Sequence, residues 1–94
     1  MEFTHNEEGA KGLFELFKDG ECIANMTYSR IDANNIIVNH TAVHPSQKEK
    51  GTGKRIVSEM VAWCRANDQK VLVLCPFTKG VIERIPEYQD ILRK

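Results

Sequence analysis

Between residues 36 and 75 the spacing of apolar residues changes twice, and the order of those changes restricts the chain to few topologies. Ile36 to Val43 reads as a strand that follows the turn-forming Asp32-Ala33-Asn34-Asn35 and stops at Pro45, which has no N–H for a sheet ladder. Ile56, Val57, Met60, Val61, Trp63 and Cys64 then recur at spacings of three and four, with Arg55, Ser58, Glu59 and Arg65 mostly elsewhere. That pattern predicts an amphipathic helix of about three to four turns. Val71-Leu72-Val73-Leu74-Cys75 is a continuous apolar run ended by Pro76, and it reads as an interior strand covered on both faces. Strand, helix and buried strand in this order make a right-handed crossover between parallel strands.

Upstream, Leu13 to Lys18 and Glu21 to Ser29 flank Asp19-Gly20, a dipeptide suited to a type I′ hairpin because both central residues need positive φ. With Ile36 to Val43 these segments form an antiparallel three-stranded meander. Downstream, a short helix from about Thr78 to Arg84 and a helical turn or two after Pro86 close the chain. The predicted fold class is α/β in the mixed α+β sense: an antiparallel meander, then a parallel strand-helix-strand crossover, then a C-terminal helix. With 94 residues and no linker, repeat or low-complexity tract, one domain over 1–94 is expected.

The loop joining the strand to the first helix reads HPSQKEKGTGKR. The first turn of a helix leaves backbone N–H groups without intrahelical partners and carries partial positive charge, while glycines let an anion approach the backbone. Lys48, Lys50, Lys54 and Arg55 against Glu49 give four positive charges less one negative, a local surplus of three in a chain whose net charge is zero. A di- or polyphosphate suits such a loop. The nucleoside-triphosphate loop needs four residues between its first glycine and its Gly-Lys-Ser/Thr end, whereas Gly51 and Gly53 are one residue apart. The dinucleotide fingerprint would need glycine at position 56, where Ile56 stands. Nucleic acid is disfavoured, since residues 44–55 hold no aromatic side chain for stacking and no extended basic stripe.

Lys48-Glu49-Lys50-Gly51-Thr52-Gly53 resembles the loop of the GCN5-related N-acetyltransferases: Gln or Arg, two residues, Gly, one residue, then Gly or Ala, at the start of a helix. Lys48 keeps the charge of the first position without the planar fork of arginine. The segment NHTAVHP before the loop and VLVLCPFTKGVIERIPEY after the helix resemble the small, single-domain branch of that superfamily. In that branch a histidine in the first segment and a cysteine ending the later strand are characteristic. The likeness covers roughly residues 12 to 90. It implies a single acetyl-CoA-binding domain in which Lys48, Lys50, Gly51, Thr52, Gly53 and Lys54 hold the cofactor's phosphates. It also implies that Thr41, Ala42 and Val43 run beside pantetheine, a backbone amide near Val43 serving as oxyanion donor, with Phe77 and Lys79 contacting the cofactor from the opposite side.

His40 and Cys75 are the expected catalytic pair, because both lie near the C-terminal ends of adjacent parallel strands, where ligands of open α/β sheets collect. Histidine can accept the amine's proton near neutral pH, and cysteine can form an acetyl thioester or line the acyl pocket. The alternative for each is structural, a sheet histidine and a small buried hydrophobe. Burial at the end of an apolar strand should raise the Cys75 pKa unless His40 or the positive end of the following helix counteracts it, which favours direct transfer over a thioester. Cys22 and Cys64 are expected in the core, His44 at the loop's surface or near phosphate, His5 at the terminus and uninvolved. Tyr88 could protonate the CoA thiolate, though packing on the C-terminus is the preferred role.

Larger relatives build their acceptor pocket from helices between the first two strands and from later strands; here only about Asn6 to Gly12 separates the first strand from the second. The acceptor side should be open, and the amine, small molecule or peptide, cannot be read from the residues. Two functions follow: an acetyl-CoA-dependent N-acetyltransferase, or a CoA-binding or acyl-sensing module without turnover. The three cysteines lack metal or disulfide spacing, and no stretch of about 18 apolar residues occurs. A reduced cytoplasmic protein without membrane, nucleic-acid or metal partners is expected, and a monomer.

Overall fold

Four antiparallel strands, β1 (Glu2–Glu8), β2 (Lys11–Lys18), β3 (Glu21–Asp32) and β4 (Asn35–Val43), lie side by side in chain order, and β5 (Lys70–Val73) adds beyond β4 in parallel. This computed structural model describes residues 1–47 and 50–93, so the expectation for Lys48 lies outside the described residues. Helix α1 (Thr52–Ala66) makes the crossover from β4 to β5, and α2 (Pro76–Arg84) and a 3-10 turn over Pro86–Ile91 follow. Asp19 and Gly20 both have positive φ, as the hairpin chemistry requires. No helix among the described residues is long and apolar enough to cross a membrane.

One core holds the sheet to the helices. Phe14, Leu16, Met26, Tyr28, Ile36 and Val38 project from one sheet face onto Ile56, Val57, Met60, Val61 and Cys64 of α1, and Val81 and Ile82 of α2 join them. These side chains come from every other strand position and from spacings of three and four on the helix, the two periods in the sequence.

Three features differ from expectation. The meander has four strands, because β1 pairs along its length with β2. Its face toward α1 carries Phe3, His5 and Glu7, so the period-two apolar signal is hidden by polar side chains that find partners. β5 is covered on one face only: Leu72 and the following Leu74 are 41% and 61% exposed. Helix α2 starts at Pro76, earlier than Thr78, since proline lacks an N–H that the first turn would leave without an intrahelical partner.

His5 is not a bystander. Its ring sits 4.6 Å from that of Trp63 and 5.1 Å from that of Phe14. The Tyr28 hydroxyl donates to the Glu7 carboxylate at 2.5 Å, so the His5 Nε2 proton donates to the Tyr28 oxygen at 2.6 Å. Arg30 holds Glu7 through Nε at 2.9 and 3.0 Å, and through Nη1 it donates to the carbonyl of Asp32 and to Gln69 Oε1. One guanidinium thus ties β1, the β3–β4 turn and the loop before β5. The Tyr28 ring lies across Gly12, where an added Cβ would come within 1.9 Å of it.

Burial holds the His5 imidazole below its ordinary value, with Glu7 opposing and Arg30 adding to the effect. The hydrogen bonds from Arg30 and Tyr28 hold the Glu7 carboxyl below its ordinary value. In both cases the unfolded chain binds the proton more readily, so each contribution is full above the ordinary pKa and is lost as pH falls through the folded one. The thermal midpoint should therefore fall from neutral pH into the acid range in two stages, imidazole first. Glu7→Gln should shrink the second stage, to which Asp32 and Asp90, also held below their ordinary values, contribute the remainder; an unchanged acid limb in that variant would show that Glu7 does not anchor β1.

Candidate active site

Asn39 is an extra residue in β4: Tyr28 pairs with Val38 and Thr27 with His40, leaving Asn39 without a partner, its side chain donating to Ser29 Oγ at 2.9 Å. A bulge inverts the alternation beyond it and bends the strand. Directly paired residues share a face, so Thr41, opposite Met26, points toward α1, and His40, opposite Thr27, points to the uncovered face. Neighbouring β5 meanwhile ends. The Leu74 N–H donates to the Val38 carbonyl at 3.0 Å, and beyond it no backbone hydrogen bond joins the two segments among the described residues.

The gap opens into a cavity of about 590 Å³ lined by Thr41, Ala42 and Val43 of β4, Gln47, residues 51–54 at the start of α1, Phe77 of α2, and His40. Gly51 caps α1 in the left-handed region with φ 79°, no side chain caps the helix, and no acidic residue lies in its first turn. The amides of that turn therefore keep their hydrogen-bonding capacity for a ligand, with Lys50, Lys54 and Arg55 exposed nearby. Gly53 packs beneath Phe77, where an added Cβ would lie 2.4 Å from the ring's Cζ. Thr52 is buried and donates to Gln47 Oε1 at 3.3 Å, joining the 3-10 turn Pro45–Gln47 to the helix.

Cys75 caps the N-terminus of α2 and is 4% exposed. Burial works to raise its thiol pKa. The Thr78 N–H, the Thr41 and Thr78 hydroxyls and the Phe77 N–H together outweigh burial and hold the thiol below its ordinary value. Thr41 Oγ1 and Thr78 Oγ1 are 2.7 Å apart, so this hydrogen bond crosses the gap between β4 and α2. His40 is not among the groups that act on the Cys75 thiol. Nothing in a one-residue reading of the loop or strand pointed to Thr78 or Gln47; a threonine three residues after a cysteine cap was the available signal.

Other expected residues lie elsewhere. Lys79 borders a smaller groove of about 220 Å³ with Val71, Val73 and Glu83, not the main cavity. His44 accepts from the Ser46 N–H through Nδ1 at 3.1 Å, which leaves its proton on Nε2, 3.7 Å from Glu21. It closes the turn after β4. Tyr88 packs against the core with Arg65 6.0 Å above its ring, beside the C-terminal end of α1 and remote from the glycines at its start. Cys22 is half-buried, and Cys64 is buried with its thiol pushed up to about 12 by burial.

A family model described as GCN5-related N-acetyl-transferase matches residues 13–91. Among solved structures, a GCN5-like protein of Staphylococcus aureus superposes with a TM-score of 0.68 at 27% identity, over 96% of this chain and 87% of that one. A ribosomal-protein-alanine N-acetyltransferase of Brucella melitensis superposes with a TM-score of 0.68 at 17% identity, over 83% of this chain and 62% of its own length. An aminoglycoside N-acetyltransferase in complex with CoA does so with a TM-score of 0.57 at 13% identity, over 82% and 67%. The last two share the fold alone. No curated protein matches the chain.

The Gly53–Phe77 contact makes a testable pair. Alanine gains up to about 1 kcal/mol over glycine in a helix, but at position 53 it must displace the Phe77 ring, which is 46% exposed and can swing out. Gly53→Ala should therefore stabilise more in a Phe77→Ala background than in the native chain, measured by urea unfolding of the four proteins. Additive effects would remove the ring from above Gly53.

Proposed function

The chain belongs to the GCN5-related N-acetyltransferase family, and on that premise we propose that it transfers an acetyl group from acetyl-CoA to an amine through a thioester on Cys75. The residues fit that cofactor: a cavity beside uncapped helix amides, glycines that admit a phosphate, and an edge of β4 left open past Val38. In this reading the amides of residues 52–54 with Lys50 and Lys54 bind phosphate oxygens, and the open edge of Thr41–Val43 receives the amides of the pantetheine arm. Phe77 covers the arm. Bound acetyl-CoA supplies an acetyl group already activated as a thioester.

The single observation that carries the route through Cys75 is the set of donors around its sulfur, which acts against the effect of burial. A thiolate is the nucleophilic form, and at a helix N-terminus its charge is favoured. The sulfur displaces the CoA thiolate, and the acceptor amine later displaces the Cys75 sulfur, each exchange forming one bond to the acetyl carbon and breaking one. A backbone amide near Val43 is the proposed oxyanion donor, now that its strand edge is unpaired. In this reading His40, exposed on the outer face and bordering the cavity, takes the amine's proton rather than the thiol's.

Two measurements test the reading. Titration with CoA should perturb the amides of residues 50–54 first in NMR spectra, and Gly53→Val should weaken binding more than Lys50→Ala, because the former must displace the Phe77 ring packed on Gly53 and the latter removes one screened charge. Equal small losses would mean a merely electrostatic site. Incubation with acetyl-CoA alone should add one acetyl group in a hydroxylamine-sensitive bond, absent in Cys75→Ala. Delivery to a pooled amine library should then slow by about 10²- to 10⁴-fold in His40→Ala. Turnover persisting in Cys75→Ala would establish direct transfer, and binding with neither adduct nor turnover would make the chain a CoA-binding module.

A further inference from the structure

Resting on the reading of the chain as an acetyltransferase, we infer that its acceptor is a primary amine with a second cationic group, laid on the uncovered sheet face so that Glu15 takes the second cation and the reacting amine lies at Ala42. Strand pairing fixes the row. Ala42 of β4 stands opposite Asn25 of β3, Asn25 opposite Glu15 of β2, and Glu15 opposite Thr4 of β1. Directly paired residues share a face. His40, the proposed base, precedes Ala42 by two residues on that face, so the row starts beside it and reaches Glu15 two strands away. At about 4.8 Å per strand, Glu15 lies roughly 10 Å from Ala42.

Two cavities join this row to the cofactor site. The main cavity is lined by residues from both faces of β4, Thr41 and Val43 on the helix side and His40 and Ala42 on the other. A second cavity of about 180 Å³ shares Ala42 and Val43 with it, and Asn25, Cys22 and His44 are among the residues that border it. An incoming amine thus finds a hollow that adjoins the cofactor cavity and lies in line with Glu15. In transfer the near amine gives a proton to His40 and forms its bond to the acetyl carbon as the carbon–sulfur bond breaks, releasing the Cys75 thiolate. The far ammonium keeps its charge and takes no part.

The charge of Glu15 is unmatched by its surroundings. The residue is half-buried, yet none of the ion pairs among the described residues includes it. Its cross-strand neighbours Thr4 and Asn25 are neutral, and Leu13 and Phe17 flank it along β2 on the same face. The diagonal positions hold Glu2, Asn6, Cys22 and Thr27, none of them cationic. Lys11 shares the face but stands opposite Glu8, four residues or about 13 Å along the strand. Lys18 follows Phe17 and so faces the other way. Opposite charges across strands stabilise an antiparallel sheet, and half-burial between apolar side chains raises the cost of a carboxylate that lacks one. A ligand ammonium supplies the missing charge, whereas an acceptor bearing a carboxylate is repelled by Glu15 and Glu2 alike.

A binding arm and a turnover arm separate failure of this site from failure of acetyl transfer. With no acyl donor present, diaminobutane titrated into the ¹⁵N-labelled full chain should shift the amides of Glu15, Asn25 and Ala42. Glu15→Gln should abolish those shifts, as should raised salt, which screens a half-exposed pair. Glu8→Gln, on the same face but off the row, should preserve them. With acetyl-CoA, kcat/KM for diaminobutane should exceed that for butylamine by roughly tenfold, the effect of one charge-assisted hydrogen bond, and Glu15→Gln should bring the two values together. An unmoved Glu15 amide in the native chain, shifts that persist in Glu15→Gln, or shifts lost equally in Glu8→Gln would overturn the inference, as would equal turnover of the two amines. Diamine binding on the row without turnover of any amine would refute the acetyltransferase reading and leave the cation site standing.

Discussion

A single unpaired residue in β4 sets the geometry on which the candidate site depends. With Asn39 in the ladder, Val38, His40 and Ala42 would share the face under α1, and Thr41 would point outward. With Asn39 bulged out, Thr41 and Val43 face the helices and His40 faces away. The same bulge bends β4 just where β5 gives way to Pro76, so the two parallel segments separate after Val38 and the cavity opens between them. Strand parity, cavity and the Thr41–Thr78 hydrogen bond are therefore consequences of one local irregularity, held by the Asn39 to Ser29 hydrogen bond.

Cys64 and Cys75 show how far local donors can override burial. Both are buried, with residue exposures of 0% and 4%. Around Cys64 the neighbour in hydrogen-bonding range is the Met60 sulfur at 3.5 Å, which offers no donor, and burial alone drives the thiol up to about 12. Around Cys75 two amides at the start of α2 and two hydroxyls face the sulfur, and the shift reverses sign. An argument from apolar surroundings, which treats the two residues alike, predicts a raised pKa at both. The helix start and the threonines make the difference.

Much of the fold was legible because it rests on period. The helix over Ile56–Cys64, the hairpin at Asp19-Gly20 and the parallel β5 after the crossover all follow from apolar spacing and turn chemistry, and the family likeness was carried by the motif of the glycine loop. A strand before Asn6 was expected, but β1 runs on to Glu8 and β2 starts at Lys11, and its extent and packing were not legible, because His5 and Glu7 occupy core-side positions that a hydrophobic pattern scores as solvent; only the partners Tyr28, Arg30 and Trp63, distant in sequence, make them part of the packing. The outward placement of His40 was equally hidden, since a bulge leaves no mark in residue type. Phe77 and Gly53 could be expected at the site, but their contact depends on how α2 is set against α1.

The uncovered sheet face gives the proposed chemistry its direction. Helices α1 and α2 cover one side, where Cys75 is buried, while His40, Thr27 and Asn25 stand on the other, with no helix above them among the described residues. A base serves an incoming amine best where that amine can arrive hydrated and lose its proton to solvent through an exposed imidazole. A nucleophilic sulfur is served best on the closed side, where a thioester is sheltered from hydrolysis. On this reading the opposite faces on which His40 and Cys75 stand assign the two residues to successive half-reactions, one removing the acetyl group from its carrier and the other readying the amine that accepts it.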